Sequence, residues 1–295
     1  MYKKNPPNWS HQSMLDDLKN FDKFYENRPI KNNHGGMRFP HMFAMHYMLK
    51  KIKPDFVVES GIFKGQSTWL IEKTLPEAKI LSIDIDLNQR EYISKSKNVI
   101  YSNDDFINHD YSYLPDNSLV FFDDHQNALE RIFAAYSFGF RHIIFEDNYP
   151  KLQGDCYSLK KIYHGSGVTY KGMNVKKFLK GSFLLLQHYL KKIINKNYTK
   201  ELFKHNFYLD DIIPNKNHFK MIDKIINSYF EFPPIFKTEN TRWGDKWDDI
   251  NYPTETPILN LSEKNNFKTA FSEAKAYNWI CYVQLKQPIN IHHLN

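Results

Sequence analysis

Acidic and polar residues follow several short apolar runs in the first half of the sequence. Asp84-Ile85-Asp86 comes after KILSI, Asp123-Asp124-His125 after LVFF, and Glu146-Asp147-Asn148 after HIIF. If the runs are neighbouring parallel strands, these carboxylates meet at one edge and repel one another unless a cation or a proton compensates them. Oxygen ligands of this kind suit Mg²⁺, Mn²⁺ or Ca²⁺. Zinc is disfavoured, because the sequence has no pair of His or Cys residues at the spacing of zinc ligands. We therefore expect a divalent-cation site, with helix capping as the alternative role of either acidic pair alone.

A glycine-containing segment, ESGIFKGQST, follows the first apolar run and includes Gly61 and Gly65. Two glycines four residues apart permit a tight turn and the close approach of a ligand to the backbone. The start of the next helix would add free N–H groups. The segment matches neither the phosphate-loop pattern nor the Gly-x-Gly-x-x-Gly fingerprint. A purely structural strand-to-helix turn is the alternative.

The acidic pair Asp84 and Asp86 stands one strand-helix unit after this glycine turn. An acidic residue at this place can accept hydrogen bonds from the hydroxyls of a ribose. A metal-binding Asp-x-Asp motif of a nucleotide-sugar transferase is one alternative. A capping role for Asp86 at a helix N-terminus is another.

The elements that would position these residues alternate between strand and helix. Strands are predicted over residues 56–59, 79–84, 99–101, 119–122, 142–145, 229–236 and 277–285. Helices are predicted over residues 14–25, 39–53, 88–95, 127–138, 175–194 and 219–228, and after the first glycine turn through Glu72. Apolar strands separated by helices indicate a parallel sheet covered on both faces, which binds ligands beyond the carboxyl ends of its strands.

The composition is that of a globular protein. The 295 residues are 41% hydrophobic and 25% charged, which excludes disorder, collagen and coiled coil as descriptions of the whole chain. No apolar run reaches the length of a membrane span, and residues 1–10 lack the apolar stretch of a secretory signal. Two cysteines are too few for a disulfide framework. We therefore expect no membrane association, and a cytoplasmic protein of a reducing compartment.

The positive charge is concentrated in one segment. The net charge is +7, and residues 151–225 carry 15 Lys and no Arg against 5 acidic residues. Such a segment suggests a negatively charged partner or substrate, with a solvated lysine-rich surface as the alternative. A nucleic-acid-binding protein is disfavoured because the segment lacks arginine and no recognised binding motif is present.

Four motifs in order resemble those of the class I S-adenosylmethionine-dependent methyltransferases. They are ESGIFKGQST (59–68), SIDID (82–86), FFDDH (121–125) and FEDN (145–148). More narrowly, they resemble the metal-dependent O-methyltransferases of the catechol and macrocin types, and they are also similar to the cephalosporin hydroxylase family. The resemblance covers about residues 39–150.

The resemblance implies a doubly wound α/β fold. We expect a Rossmann-like methyltransferase sheet with two late antiparallel strands and a largely helical insertion. The chain would comprise an N-terminal helical segment (1–54), a cofactor-binding core (55–150), a basic helical insertion (151–228), and the end of the sheet with a tryptophan-bearing loop (229–295).

The resemblance also implies roles for individual residues. The methionine part of S-adenosylmethionine would be held by Glu59, Gly61, Gly65 and Ser67, its ribose by Asp84 and its adenine near Asp105. The triad that binds Mg²⁺ or another divalent cation would be Asp124, Asp147 and Asn148, with Asp123 as a rival to Asp124. Catechol-type enzymes have a lysine base three residues after the metal aspartate, where this chain has Asn127. The candidates for the base are His125, Lys151 and His164.

The expected activity is therefore metal-assisted O-methylation with S-adenosylmethionine. The acceptor would be a hydroxylated, anionic small molecule or saccharide, such as a glycan, a nucleotide-sugar or a secondary metabolite. Trp243, Trp247 and Tyr252 would close over it or stack on a sugar ring, with ordinary packing as the alternative. A nucleotide-sugar glycosyltransferase and a basic nucleic-acid-binding protein are the competing functions. The sequence leaves open whether the chain forms a homo-oligomer.

Overall fold

A seven-stranded sheet forms the centre of the computed structural model, which describes residues 2–167 and 214–287. The strands are β1 (Phe56–Ser60), β2 (Lys79–Ile83), β3 (Val99–Ser102), β4 (Ser118–Phe122), β5 (His142–Phe145), β6 (Ile226–Glu231) and β7 (Cys281–Leu285). Their order is β3-β2-β1-β4-β5-β7-β6. The first five strands are parallel, and β7 pairs antiparallel with both β5 and β6. The predicted α/β fold with two late antiparallel strands is confirmed.

Helices cover the two faces of the sheet. They are α1 (His11–Glu26), α2 (Phe39–Ile52), α3 (Gln66–Thr74), α4 (Ala128–Ser137), α5 (Leu159–Tyr163), α6 (Asn217–Ile225) and α7 (Lys268–Glu273). The core on one face includes residues of α1, α2 and α3, and the core on the other face includes residues of α4, α5 and α6. Because both faces are covered, every residue of β1, β4 and β5 is buried, and most of them are apolar. In the described residues, no helix is both long and apolar enough to cross a lipid bilayer.

The prediction of a helix over residues 88–95 is wrong. The segment contains only a short 3₁₀ turn, Leu87–Gln89, before β3 begins. The backbone N–H groups of Glu91 and Tyr92 donate to the carbonyl of Lys64, at 3.0 and 2.9 Å. The segment therefore hydrogen-bonds to the glycine turn rather than to itself, which leaves no helical ladder.

The late elements differ in their limits from the prediction. The predicted helix over 219–228 ends earlier, because β6 begins at Ile226, and the predicted strand over 229–236 ends before the two prolines at 233 and 234. Proline cannot donate to a ladder, so the strand stops there. The strand predicted over 277–285 begins only at Cys281. The helix predicted over 175–194 lies outside the described residues.

Candidate functional site

A cleft of about 480 Å³ opens at the carboxyl ends of β1, β2 and β4. At β1 the strand order reverses, because β2 lies on one side of it and β4 on the other. This is the place where open parallel sheets bind ligands. The residues around the cleft include Gly61, Phe63, Asp84, Ile85, Asp105, Asp123, Asp124, His125 and Arg131.

The two glycines of the turn are required by contacts inside the protein. Gly61 has φ +96°, and a Cβ atom there would lie 2.2 Å from the carbonyl oxygen of Asp123. Gly65 has φ +89°, and its Cβ atom would lie 2.4 Å from the carbonyl oxygen of Tyr92. Both glycines therefore allow other parts of the backbone to approach the turn, in addition to any ligand.

Asp84 holds the glycine turn in shape. Its Oδ2 atom accepts hydrogen bonds from the backbone N–H groups of Ile62 (2.7 Å) and Phe63 (3.0 Å). Its Oδ1 atom accepts one from the N–H of Asp86 at 2.9 Å, which leaves this oxygen able to accept another. Asp86 caps the 3₁₀ turn through the N–H of Asn88, so the two carboxylates are not arranged as a shared metal-binding pair.

Glu59 and Ser67 lie behind the turn rather than in the cleft. Glu59 is fully buried, and its Oε2 atom accepts hydrogen bonds from the hydroxyls of Thr68 and Ser82, each at 2.6 Å. Burial raises the pKa of Glu59, and the hydroxyl of Ser67 partly offsets that shift. The structure thus does not bring Glu59 or Ser67 to the surface of the cleft, where the resemblance placed a methionine contact.

Arg131 on α4 pairs with two of the predicted site residues. Its guanidinium donates to both carboxylate oxygens of Asp105, at 2.8 and 2.7 Å, and its Nε atom lies 2.9 Å from Asp124 Oδ2. The same oxygen of Asp124 accepts a hydrogen bond from Ser60 at 2.7 Å. Asp124 is therefore neutralised by arginine, whereas Asp123 lies on the other side, toward β5.

A group of three side chains next to the cleft has the geometry of a cation site. Asp123, His125 and Asp147 each offer one ligand atom, and these atoms lie within 4.8 Å of one another. His125 Nδ1 is 2.9 Å from Asp147 Oδ2 and 3.0 Å from Asp155 Oδ1. Asp147 Oδ2 is nevertheless a buried oxygen without a well-formed hydrogen bond. A buried carboxylate oxygen in this situation fits a divalent cation, which prefers oxygen ligands.

The pKa values of Asp123, His125 and Asp147 indicate that the carboxylates of this group are only partly balanced by positive charge. Burial and the neighbouring Glu146 raise the pKa of Asp147 to about 6, and burial together with Glu146 and Asp147 raises the pKa of Asp123. The adjacent carboxylates of Asp147 and Asp155 raise the pKa of His125 to about 12. The carboxylates therefore hold one imidazolium and favour the uptake of a further proton or cation.

Three buried residues fix the position of Asp147 from behind. The Nδ1–H of His41 donates to Glu146, and the Nε2 atom of His41 accepts from the backbone N–H of Asn278 at 2.6 Å. The side-chain amide of Asn278 donates to Asp147 Oδ1 at 3.3 Å. Burial lowers the pKa of His41 to about 3, so its ring is neutral and keeps this tautomer.

Asn148, the third member of the expected triad, points away from the cation group. Its side-chain amide donates to the hydroxyl of Tyr229 at 2.8 Å, and its Oδ1 atom accepts from the backbone N–H of Lys160 at 2.8 Å. The ammonium group of Lys160 is itself paired with the buried Glu231. Asn148 thus belongs to a buried polar network between β5, α5 and β6.

The candidates for a general base have other surroundings. Asn127, at the position of the catechol-type lysine, caps α4 through the N–H of Leu129. The raised pKa of His125 favours its protonated form over a free base. Lys151 lies in a turn and makes no ion pair in the part of the chain that is described. Burial lowers the pKa of His164 to about 4, and its ring packs on Tyr252, 4.6 Å between centroids.

The tryptophan-bearing loop supplies a cation that faces the acidic group. Arg242 is partly buried, and its pKa is raised by its attraction to Glu146 and other carboxylates despite burial. The next residue, Trp243, packs edge-on against Tyr149, with ring centroids 5.5 Å apart. Trp247 packs against Trp279 and Tyr277, so it belongs to the core rather than to an open stacking surface.

The residues that sequence reasoning missed come from distant parts of the chain. They are His41, Arg131, Asp155, Arg242 and Asn278. None of them belongs to one of the four motifs, and each reaches the site only because of the tertiary fold. The one available signal was the proximity of Asp155 to the end of β5, ten residues after Phe145.

The solved structures to which this chain is similar share little of its sequence. No family model and no curated protein matches the sequence. Among solved structures, the chain is similar to the apo-structure of CmcI-N160, with 17% identity, a TM-score of 0.35, and coverage of 50% of this chain and 69% of that chain. It is also similar to the SAH-bound Podospora anserina methyltransferase PaMTH1, with 12% identity, a TM-score of 0.33, and coverage of 48% and 64%.

A third similar structure is the O-methyltransferase TomG from Streptomyces achromogenes, in complex with SAM. The identity is 15%, the TM-score 0.32, and the coverage 46% of this chain and 64% of that chain. At these identities and TM-scores, the likenesses carry no conclusion about this chain.

Proposed function

We propose that the protein is an S-adenosylmethionine-dependent methyltransferase that methylates an acceptor hydroxyl with the help of a divalent cation. One observation supports this proposal: the cleft at the strand-order reversal adjoins a group of carboxylates, so a nucleoside bound in the cleft and a cation bound by the carboxylates would lie side by side. The sulfonium methyl group of S-adenosylmethionine is an electrophile. A divalent cation bound beside it would make the acceptor hydroxyl more acidic.

The residues of the cleft would position the methyl donor. Asp84 Oδ1 keeps the capacity to accept a hydrogen bond from a ribose hydroxyl, while Oδ2 keeps the glycine turn in place. The acidic lining also attracts a sulfonium cation, because six aspartates line the cleft against the two described cationic side chains His125 and Arg131. We therefore assign the ribose to Asp84 and retain Gly61 and Gly65 as the turn beneath the donor.

The cation ligands that we propose differ from the triad expected from the resemblance. Asp123 and Asp147 replace Asp124 and Asn148, because Asp124 is paired with Arg131 and Asn148 belongs to a buried network. His41, Glu146 and Asn278 would hold Asp147 in position. Holding two reactants in line accounts for a large part of the rate of such a transfer.

His125 would act electrostatically rather than as the base. Between Asp147 and Asp155 its imidazole is already protonated, so it has no lone pair at Nδ1 to take up the proton of the acceptor. Arg242 adds a second positive charge at the same side. These two cations favour an acceptor with an anionic group near its hydroxyl.

Titration calorimetry with S-adenosylhomocysteine tests the donor site. We expect saturable binding to the wild-type protein and at least tenfold weaker binding to Asp84→Ala, because the ribose acceptor is lost. Asp110→Ala is the matched control and keeps its affinity, since Asp110 is exposed, accepts from the backbone N–H of Ser112 and does not line the cleft. Absence of binding to the wild-type protein at millimolar concentration would count against the proposal.

Binding of Mn²⁺, followed by electron paramagnetic resonance, tests the cation site. We expect Asp147→Asn to weaken Mn²⁺ binding at least tenfold and to leave S-adenosylhomocysteine binding unchanged. Asn148→Ala should keep its Mn²⁺ affinity and instead lose about 2–4 kcal/mol of stability, because buried polar partners lose their hydrogen bonds. If Asn148→Ala weakened Mn²⁺ binding and Asp147→Asn did not, Asn148 rather than Asp147 would be the ligand.

The nucleotide-sugar glycosyltransferase is not favoured. Its Asp-x-Asp motif would need both carboxylates free for one cation, whereas Asp84 and Asp86 are bonded to backbone N–H groups of separate turns.

A further inference from the structure

A groove of about 990 Å³ lies at the amino ends of β1, β2 and β3, at the edge of the sheet opposite the candidate site. Its surface is largely apolar and includes Phe56, Leu81, Ile100 and Tyr113. Ile100 is 64% exposed and Tyr113 is 58% exposed. The proposed methyl transfer uses none of these residues, so the groove is a separate feature of the molecule.

The groove exists because two strand connections lack α-helices. Between β2 and β3, and between β3 and β4, the fully described chain forms only the 3₁₀ turns Leu87–Gln89 and Phe106–Asn108. Parallel strands are usually joined by helices that cover both faces of the sheet. Leu81 pairs in register with Ile100, so both side chains face the same side, which is the side of α4. On that side, no helix of residues 2–167 or 214–287 packs closely against β3.

Lysines surround the apolar floor of the groove. Lys50, Lys53, Lys79 and Lys97 line it, against the two acidic residues Asp55 and Glu77. Lys50 is paired with Asp17 at 2.7 Å. The other three lysines are exposed and make no ion pair within the described ranges. The rim is therefore positively charged around an apolar surface.

We propose that this groove binds an amphipathic α-helix of a partner protein, with an apolar stripe flanked by Asp or Glu. A helix is the element that parallel sheets carry at this place, and its apolar stripe would cover Leu81 and Ile100. Acidic side chains beside the stripe would meet the unpaired lysines. Recognition of this type depends on apolar anchors and complementary charge.

Fluorescence anisotropy with two synthetic peptides tests the proposal on the full-length protein. Both peptides are 18-residue amphipathic helices with the same leucine stripe, flanked by Glu in one and by Lys in the other. We expect saturable binding of the Glu peptide, at least tenfold tighter than the Lys peptide. Ile100→Asp should weaken it at least tenfold, and so should the double variant Lys79→Glu, Lys97→Glu.

Ile250→Asp is the matched control, because Ile250 is 94% exposed and does not line the groove. It should leave the binding of the Glu peptide unchanged. S-Adenosylhomocysteine binding should be equal in all variants, which separates this result from the proposed catalytic function and shows that the variants are folded.

Three outcomes would overturn the proposal. The first is equal binding of the two peptides, or no binding of the Glu peptide up to 200 µM. The second is a dimer in light scattering that Ile100→Asp abolishes, which would make a second copy of the chain the occupant. The third is saturable binding of dodecanoate that Ile100→Asp abolishes while neither peptide binds, which would assign the groove to a lipid.

Discussion

Individual carboxylates at the strand ends have different tasks although their residue types are the same. Asp84 holds a turn through backbone N–H groups, and Asp124 is paired with Arg131. Burial raises the pKa values of Asp123 and Asp147, and the neighbouring Glu146 adds to both shifts. Arg131 pairs with Asp124, which is why we propose Asp123 rather than its neighbour as a cation ligand.

Glu59 gives a prediction that separates a structural role from a ligand-binding role. Its carboxyl group is buried against Thr68 and Ser82 and its pKa is raised, so a neutral side chain fits the site. We expect Glu59→Gln to be at least as stable as the wild-type protein in urea at pH 7.5 and to bind S-adenosylhomocysteine with unchanged affinity. Calorimetry and urea unfolding measure both.

Glu59→Ala is the comparison for that variant. It leaves the two hydroxyls without their acceptor and creates a cavity, so we expect a loss of about 2–4 kcal/mol. If Glu59→Gln instead lost tenfold or more in S-adenosylhomocysteine affinity at full stability, a direct contact between Glu59 and the methionine part would be supported.

The sequence predicted which strand ends meet, but not where their side chains point. Apolar runs and the order of the motifs were sufficient to place Asp84, Asp123 and Asp147 at one edge. The choice between Asp123 and Asp124 depended on Arg131, which lies on a helix and has no motif around it. The hydrogen-bond partners of Asn148, which are Tyr229 and the backbone of Lys160, are 81 and 12 residues away, so no local pattern indicates them.

At the scale of elements, the glycine turn and the segment after β2 depend on each other. The turn supplies the carbonyl of Lys64 to residues 91 and 92, and Gly65 leaves room for the carbonyl of Tyr92. The local sequence over 88–95 predicts a helix, since a local pattern carries no information about this tertiary contact. Because no α-helix forms there, the edge strand β3 is left exposed.

Gly61→Ala tests whether the turn is required by packing. The new Cβ atom would lie 2.2 Å from the carbonyl oxygen of Asp123, in addition to the strain of φ +96°. We expect a loss of about 3–5 kcal/mol in urea unfolding, made up of strain and overpacking. S-Adenosylhomocysteine binding should weaken as well, because β1 and β4 separate at the cleft.

Gly139→Ala is the matched control for that change. Gly139 has a similar φ of +89° but no atom within 4 Å of the added Cβ atom. Its free energy of unfolding should fall only by the cost of placing alanine in the left-handed conformation, about 1–2 kcal/mol, and its ligand affinity should be unchanged. Equal losses in both variants would show that the contact with Asp123 is not limiting.

For the whole molecule, the first 150 residues follow their local pattern more closely than the rest. Strands β1 to β5 lie within one or two residues of their predicted positions, because each is a short apolar run between clear turns. The late strands depend on long-range pairing, for example between β6 and the backbone of Lys4 at the start of the chain. Such pairing leaves no local signal, so their limits were misplaced.

The stability of the whole molecule should depend on pH through histidines buried between its helices. The ring of His46 packs against Phe21 and Phe24, and Nδ1 lies 2.8 Å from Thr74 Oγ1, which joins α2 to α3. Burial lowers the pKa of His46 from 6.5 to about 4. Between these pH values the unfolded chain binds a proton that the folded protein does not, so stability falls as the pH is lowered.

We expect the proton uptake of His46 on unfolding to lower the free energy of unfolding by about 2 kcal/mol between pH 7.5 and pH 5. His46→Phe removes the titrating group and keeps the aromatic packing. The hydrogen bond to Thr74 is lost, but this loss lowers the stability equally at both pH values. Urea unfolding should therefore show a smaller pH dependence in His46→Phe than in the wild-type protein. The exposed His34, changed to Phe, should leave the dependence as it is. If His46→Phe and the wild-type protein lost the same free energy, the ring of His46 would have to accept a proton in the folded state, and the packing between α1, α2 and α3 would be looser than described here.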